Sequence, residues 1–122
     1  VHAIAHQFGA FYHTPHGLAN AIVLPRILEY SLPAAKERMA QLAIATELGT
    51  KDEEQQVLAQ KFVDAIKQLN ENIGIPSALE ALKVEDIPKI AAGALKEAHY
   101  LYPVPRYMDK RQCEEIVQSM MP

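Results

Sequence analysis

Apolar residues in this chain recur at helical steps and nowhere at the two-residue step of a strand, which removes most architectures at once. Leu58, Phe62, Ile66, Leu69 and Ile73 are spaced by four, four, three and four residues, the stripe of a helix that buries one face. The same reading extends along the chain. A first helix is expected from Val1 to Phe8, with Gly9 as its stop. A second starts with Thr14 as N-cap and Pro15 at its first position, is apolar nearly all round, and is kinked at Pro25 without ending there. Pro33 is expected to open a third helix that Gly49 closes. Thr50 to Glu53 forms a capping box for a helix running from about Lys51 to Asn72, and Ser77 to Glu80 a second box for a short helix. Glu85 and Asp86 mark the first turn of a helix ending near His99, and Asp109 caps the last one. No Asn-Gly hairpin signal or internal repeat appears. The expected fold is all-α, a bundle-like domain of about seven helices spanning residues 1–122.

Four of the five histidines fall within the fifteen positions from His2 to His16. His2 and His6 are four apart, so on a helix they share a face and can meet one metal ion; spacing alone nominates that pair. His16 falls in the first turn of the second helix, where the positive end of the helix dipole disfavours an imidazolium and so favours the lone-pair form a metal needs. His13 lies in the connector. His99, at a helix C-terminus, is expected to cap, and Tyr102, Pro103 and Arg106 to form a surface loop. Asn20, polar on a buried helix, needs a partner, and a structural hydrogen bond to a neighbouring loop is expected.

Composition excludes several classes of function. A net charge of -3 with 22% charged residues of mixed sign leaves no basic stripe for nucleic acid and no polybasic membrane patch. No apolar run approaches the ~20 residues of a membrane span. Cys113 is the single cysteine, which fits a reducing cytoplasm. Gly9 and Gly17 do not form a phosphate-cradling Gly-x-Gly-x-x-Gly run after a strand. Val1-His2 enters an apolar-periodic motif without a cap or initiator methionine, so the chain reads as a piece of a longer polypeptide.

Beyond spacing, His2-x-x-x-His6, Gly9-Ala10, Pro15-His16-Gly17, Ala19-Asn20-Ala21 and Leu24-Pro25, continued weakly to Tyr102-Pro103-Val104-Pro105-Arg106, resemble the C-terminal signature of the iron-containing (group III) alcohol dehydrogenases. The resemblance implies a helical metal- and substrate-binding domain of the dehydroquinate synthase-like type, joined in the parent to an N-terminal nucleotide-binding domain that lies outside this chain. It implies His2 and His16 as metal ligands, with an aspartate and a histidine supplied from upstream. His6 matches a residue lining the nicotinamide and substrate pocket, hence catalytic and cofactor-binding. The implied cofactors are Fe2+, with Zn2+ as the alternative, and NAD or NADP; the implied partners are a small alcohol or aldehyde, the upstream domain and further copies in a homo-oligomer. Two other readings stand beside it: a non-catalytic helical interaction module, and a zinc-dependent glycerol-type dehydrogenase of the same superfamily.

Overall fold

A helix of 30 residues, α2 (His16–Ala45), runs through the protein and divides it into two packing regions. The computed structural model describes residues 1–122, with helices α1 (His2–Tyr12), α2, α3 (Gln55–Asn72), α4 (Ile87–Leu101) and α5 (Lys110–Gln118), a 3-10 turn at Val84–Asp86 and no strand. The first half of α2 joins the main core: Ala19, Ile22 and Val23 meet Ile4 and Phe8 of α1, Ile90 and Ala94 of α4, and Cys113 and Val117 of α5. Its second half packs on α3, where Leu32 and Met39 close over Ala59 and Val63.

All-α is the architecture found, with five α-helices in place of about seven. Two expected helices account for the difference. Pro33 does not open a helix. It lies inside α2, and the backbone departs from helical geometry at Ala35 (φ -132°, ψ 21°) before resuming. Leu32 before this bend and Met39 after it belong to one buried cluster with α3, so both arms pack on a single neighbour across the kink. The Ser77 segment forms turns only. There Leu79 donates its N–H to the Met120 carbonyl at 2.9 Å, and Leu79 and Leu82 both reach the main core; that tertiary contact prevails over the local capping signal.

Pro25, also inside α2, has no N–H to give the Ala21 carbonyl four residues back. Asn70 of α3 supplies the missing donor, its Nδ2 lying 2.8 Å from the Ala21 oxygen. The helix therefore passes through the proline with its ladder completed from a neighbouring element.

Several boundaries shift. Helix α1 continues past Gly9 to Tyr12, whose hydroxyl donates to Asp86 at 2.8 Å and accepts from the Lys83 N–H at 3.2 Å. His13 then takes the left-handed cap conformation at φ 54°, its N–H bonded to the Gly9 carbonyl. Pro15 occupies the N-cap of α2 and Thr14 makes no cap bond. At the far end of α2 the left-handed residue is Glu47 (φ 59°), not Gly49, and Leu48 donates to Ala43 at 2.9 Å. Helix α3 starts at Gln55 behind Glu54; Glu53 accepts from the Thr50 N–H at 2.8 Å and pairs with Lys61, closing a turn ahead of the helix. The α3 stripe buries Leu58 but leaves Leu69 and Ile73 more than half exposed. Asp109 caps α5 as expected, in a complete capping box with Gln112.

No helix is long and apolar enough to cross a membrane.

Candidate metal centre

Two helices and the tight connection between them bring three histidines together. His2 and His6 project from one face of α1, and the cap at His13 followed by Pro15 reverses the chain so that His16, the first residue of α2, returns beside them. The ring centroids of His2 and His16 are 5.4 Å apart, those of His6 and His16 5.4 Å, and those of His2 and His6 5.9 Å. All three residues are exposed. His13 does not join them; it is exposed in the cap.

An imidazole binds a metal along an in-plane lone pair, with the ring centroid about 3 Å from the ion, so two ligands on one tetrahedral ion have centroids roughly 5 Å apart and ring planes that intersect at it. The three pairs are inclined at 53° (His2 and His16), 18° (His6 and His16) and 71° (His2 and His6), and all lie near that separation, so ring geometry brings the three imidazoles together without selecting a ligand pair. Imidazole nitrogens suit Fe2+ and Zn2+, so the donor set fits the metals expected, yet no group of three or more His, Cys, Asp or Glu side chains in the chain is arranged to hold an ion by itself.

Asn20 sits one turn beyond His16. Its Nδ2 donates to the His16 carbonyl at 2.9 Å and lies 3.4 Å from Nδ1 and 3.2 Å from Nε2 of the ring. An atom almost equally near both ring nitrogens lies over the ring face, along neither lone pair, so both nitrogens stay available. The loop partner expected for Asn20 is not found: its bond is within α2, and its Oδ1 is buried without a partner.

On the other flank His6 is tied to α4. Its Nδ1 lies 2.7 Å from Glu97 Oε1, and the Tyr102 hydroxyl donates to the same oxygen at 2.8 Å. Gly93 stands one turn before Glu97 and faces α1, where a Cβ would lie 2.4 Å from Gln7 Oε1, the far end of a flexible side chain. Desolvation pushes the Glu97 carboxyl up, but the hydrogen bonds from His6 and Tyr102, together with the nearby charges of His6 and His2, outweigh it and hold the group below its usual range. The Tyr102 hydroxyl is raised by its bond to Glu97, by desolvation and by the carboxylate charge.

Tyr102, Pro103 and Arg106 lie in the exposed loop expected, and from it Tyr102 reaches Glu97. Glu97 carried no signal at all, being 91 residues from its partner. The rest of the loop is anchored to α2: Arg106 lies over the Tyr30 ring at 4.3 Å and donates to the Tyr30 carbonyl at 2.9 Å, and the Tyr30 hydroxyl reaches the Tyr107 carbonyl and Gln112. His99 does not cap α4; its Nε2 meets the Met108 carbonyl at 3.3 Å and its ring stacks on Tyr107. Tyr100, Leu101, Val104 and Tyr107 are exposed by half or more, an apolar rim continuous in sequence with Tyr102.

Comparison with known proteins gives this arrangement its context. The C-terminal region of the Fe-containing alcohol dehydrogenase family matches residues 1–121. The 1,3-propanediol dehydrogenase of Citrobacter freundii is 37% identical over 121 residues, 98% of this chain and 31% of that protein. Lactaldehyde reductase of Escherichia coli is 37% identical over 99 residues, 80% of this chain and 26% of that protein. Among solved structures, a 1,3-propanediol oxidoreductase superposes with a TM-score of 0.90 at 34% identity, and an alcohol dehydrogenase from Oenococcus oeni with 0.87 at 36%; each covers 98% of this chain and 31% of the other. The chain spans about a third or less of the length of the relatives it matches. With a family match over nearly every residue and the same helical arrangement in solved relatives, this chain belongs to the Fe-containing alcohol dehydrogenase family, as its C-terminal, all-helical part.

Proposed function

We propose that this chain is the metal- and substrate-binding portion of a nicotinamide-linked alcohol dehydrogenase that interconverts a small primary alcohol and its aldehyde, the hydride transfer requiring the full-length parent. The observation that carries the reading is the convergence of His2, His6 and His16 from α1 and α2, with ring centroids 5.4 to 5.9 Å apart, and the family resemblance selects His2 and His16 among them. His2 and His16 would hold the metal, Fe2+ with Zn2+ as the alternative, and the remaining ligands would come from the upstream domain. A bound divalent ion supplies Lewis acidity toward an alcohol or carbonyl oxygen, and NAD or NADP the hydride acceptor or donor.

The chain's own residues supply positioning and a proton path. With Nδ1 turned to Glu97, His6 presents Nε2 on the opposite side of its ring, where it can accept a proton from the substrate hydroxyl or return it, and contact the nicotinamide. Being exposed, the three imidazoles gain the dry surroundings that hydride transfer needs from the upstream domain, whose docking would cover the Tyr100 to Tyr107 rim. Assembly of the parent as a homo-oligomer is what the family resemblance implies. With the single thiol buried in the core, a cytoplasmic enzyme is the fitting setting.

The test is alcohol-dependent reduction of NAD or NADP by the full-length parent loaded with Fe2+ or Zn2+, paired with calorimetry on the chain alone. The parent turns over and the chain binds no dinucleotide. Micromolar NAD or NADP binding by the chain alone overturns the assignment, because the nucleotide site would then lie within these helices.

A further inference from the structure

His6 is the only member of the histidine cluster with a carboxylate on a ring nitrogen. That carboxylate is itself held from a second direction, since Glu97 Oε1 lies 2.7 Å from His6 Nδ1 and accepts from the Tyr102 hydroxyl at 2.8 Å. Three elements meet there: α1 brings His6, α4 brings Glu97, and the first residue beyond α4 brings Tyr102.

We infer that Glu97, braced by Tyr102, is a positioning residue that fixes the tautomer and ring orientation of His6, so that Nδ1 carries the hydrogen and Nε2 is the nitrogen offered to the substrate side. The inference rests on the pocket role proposed above for His6. Its physical basis is independent of that role. A neutral imidazole has one N–H and one lone pair, and a carboxylate, having no hydrogen to donate, selects the tautomer whose N–H faces it. Tyr102 occupies a further lone pair of the same oxygen, which narrows the positions open to the carboxylate and hence to the ring. A histidine free to rotate would divide its population between tautomers and orientations, and only part of it would present a lone pair in the productive direction. Partners that orient a metal-bound imidazole are worth about tenfold to a hundredfold, and a loss of the same order is expected where the imidazole moves a proton instead.

The direct measurement is nitrogen-15 NMR of the imidazoles in the chain, above the range in which histidine titrates. His6 should show a protonated Nδ1 and a bare Nε2. Glu97→Ala should shift it toward the Nε2–H form, while Glu97→Gln, whose side-chain oxygen still accepts, should keep most of the Nδ1–H form; Tyr102→Phe should give an intermediate shift. Circular dichroism confirms that each variant is folded, and the Gln variant covers the case in which Ala is not. A His6 that carries its hydrogen on Nε2 in the unaltered chain, or whose tautomer ignores Glu97→Ala, overturns the inference. In the full-length parent, Glu97→Ala should lower kcat by about tenfold or more with the metal retained and KM little changed, and Glu97→Gln should recover part of the loss. An unaltered kcat also overturns it. A parent inactive toward every alcohol refutes the proposed function instead, and the NMR result still decides the tautomer.

Discussion

Asn70→Ala removes the donor that completes α2 at Pro25, and its cost can be worked from the contact itself. The Ala21 carbonyl has no partner at position 25 because proline lacks an N–H, and Asn70 Nδ2 at 2.8 Å takes that place. A lost hydrogen bond costs about 0.5–1.5 kcal/mol net, and more when the orphaned acceptor is fully buried. Ala21 and Asn70 are half-buried, so water partly replaces the donor, and alanine regains a few tenths of a kcal/mol in helix propensity at position 70. The expected loss is about 1 kcal/mol, or about 4 °C in Tm for a chain of 122 residues. The sharper test is a double-mutant cycle with Pro25→Ala. That change restores a backbone N–H to bond Ala21, so Asn70→Ala should then cost close to nothing, and the two substitutions should couple by about 1 kcal/mol. Urea unfolding followed by circular dichroism reads all four corners. Additivity within about 0.3 kcal/mol would show that Asn70 does not complete the helix ladder at Pro25.

Other consequences follow from single side chains. Glu53 is held below its usual 4.5 first by the hydrogen bond from Lys61 and then by the Thr50 N–H, so its contribution to stability is present above that value and disappears as pH falls through the lowered folded pKa; Glu53→Gln should therefore destabilise the chain slightly at pH 7 and not at pH 2, as read by urea midpoints. Burial, reinforced by Glu114, pushes the Cys113 thiol up to about 11, so a thiol reagent at pH 8 should leave the folded chain unmodified and label it fully in denaturant; rapid labelling of the folded chain would contradict the packing of α5.

The fold was readable wherever one helix decides its own fate. Asp109 caps α5 because its carboxylate and Gln112 answer each other within one turn, and the spacing from Leu58 onward needs no partner to announce a helix. Pro33 misled because its local effect, a bend at Ala35, is contained by contacts with Ala59 and Val63, residues a local reading does not bring near it. Ser77 misled in the opposite sense: a good capping sequence gives way to the bond between Leu79 and Met120 across the fold.

The site is assembled from two sequence ranges. The grouping of His2, His6 and His16 was visible because all three lie within one helix–turn–helix passage. Spacing picks His2 with His6, while the family resemblance picks His2 with His16, and the three rings lie close enough together for either pair. Glu97 and Tyr102 come from the far end of the chain, and nothing in their local sequence ties them to a histidine near residue 6. A carboxylate on Nδ1 is also a common companion of a metal-bound imidazole, so metal content, ring by ring, is what separates a ligand from a pocket residue here.

Metal content of the purified full-length parent with His2→Ala, His6→Ala and His16→Ala, measured by mass spectrometry after identical loading, tests that assignment most directly. The account predicts that His2→Ala and His16→Ala are each stripped of metal and inactive, while His6→Ala keeps a full equivalent and loses turnover. A metal-free His6→Ala beside a His16→Ala that retains its ion would contradict it.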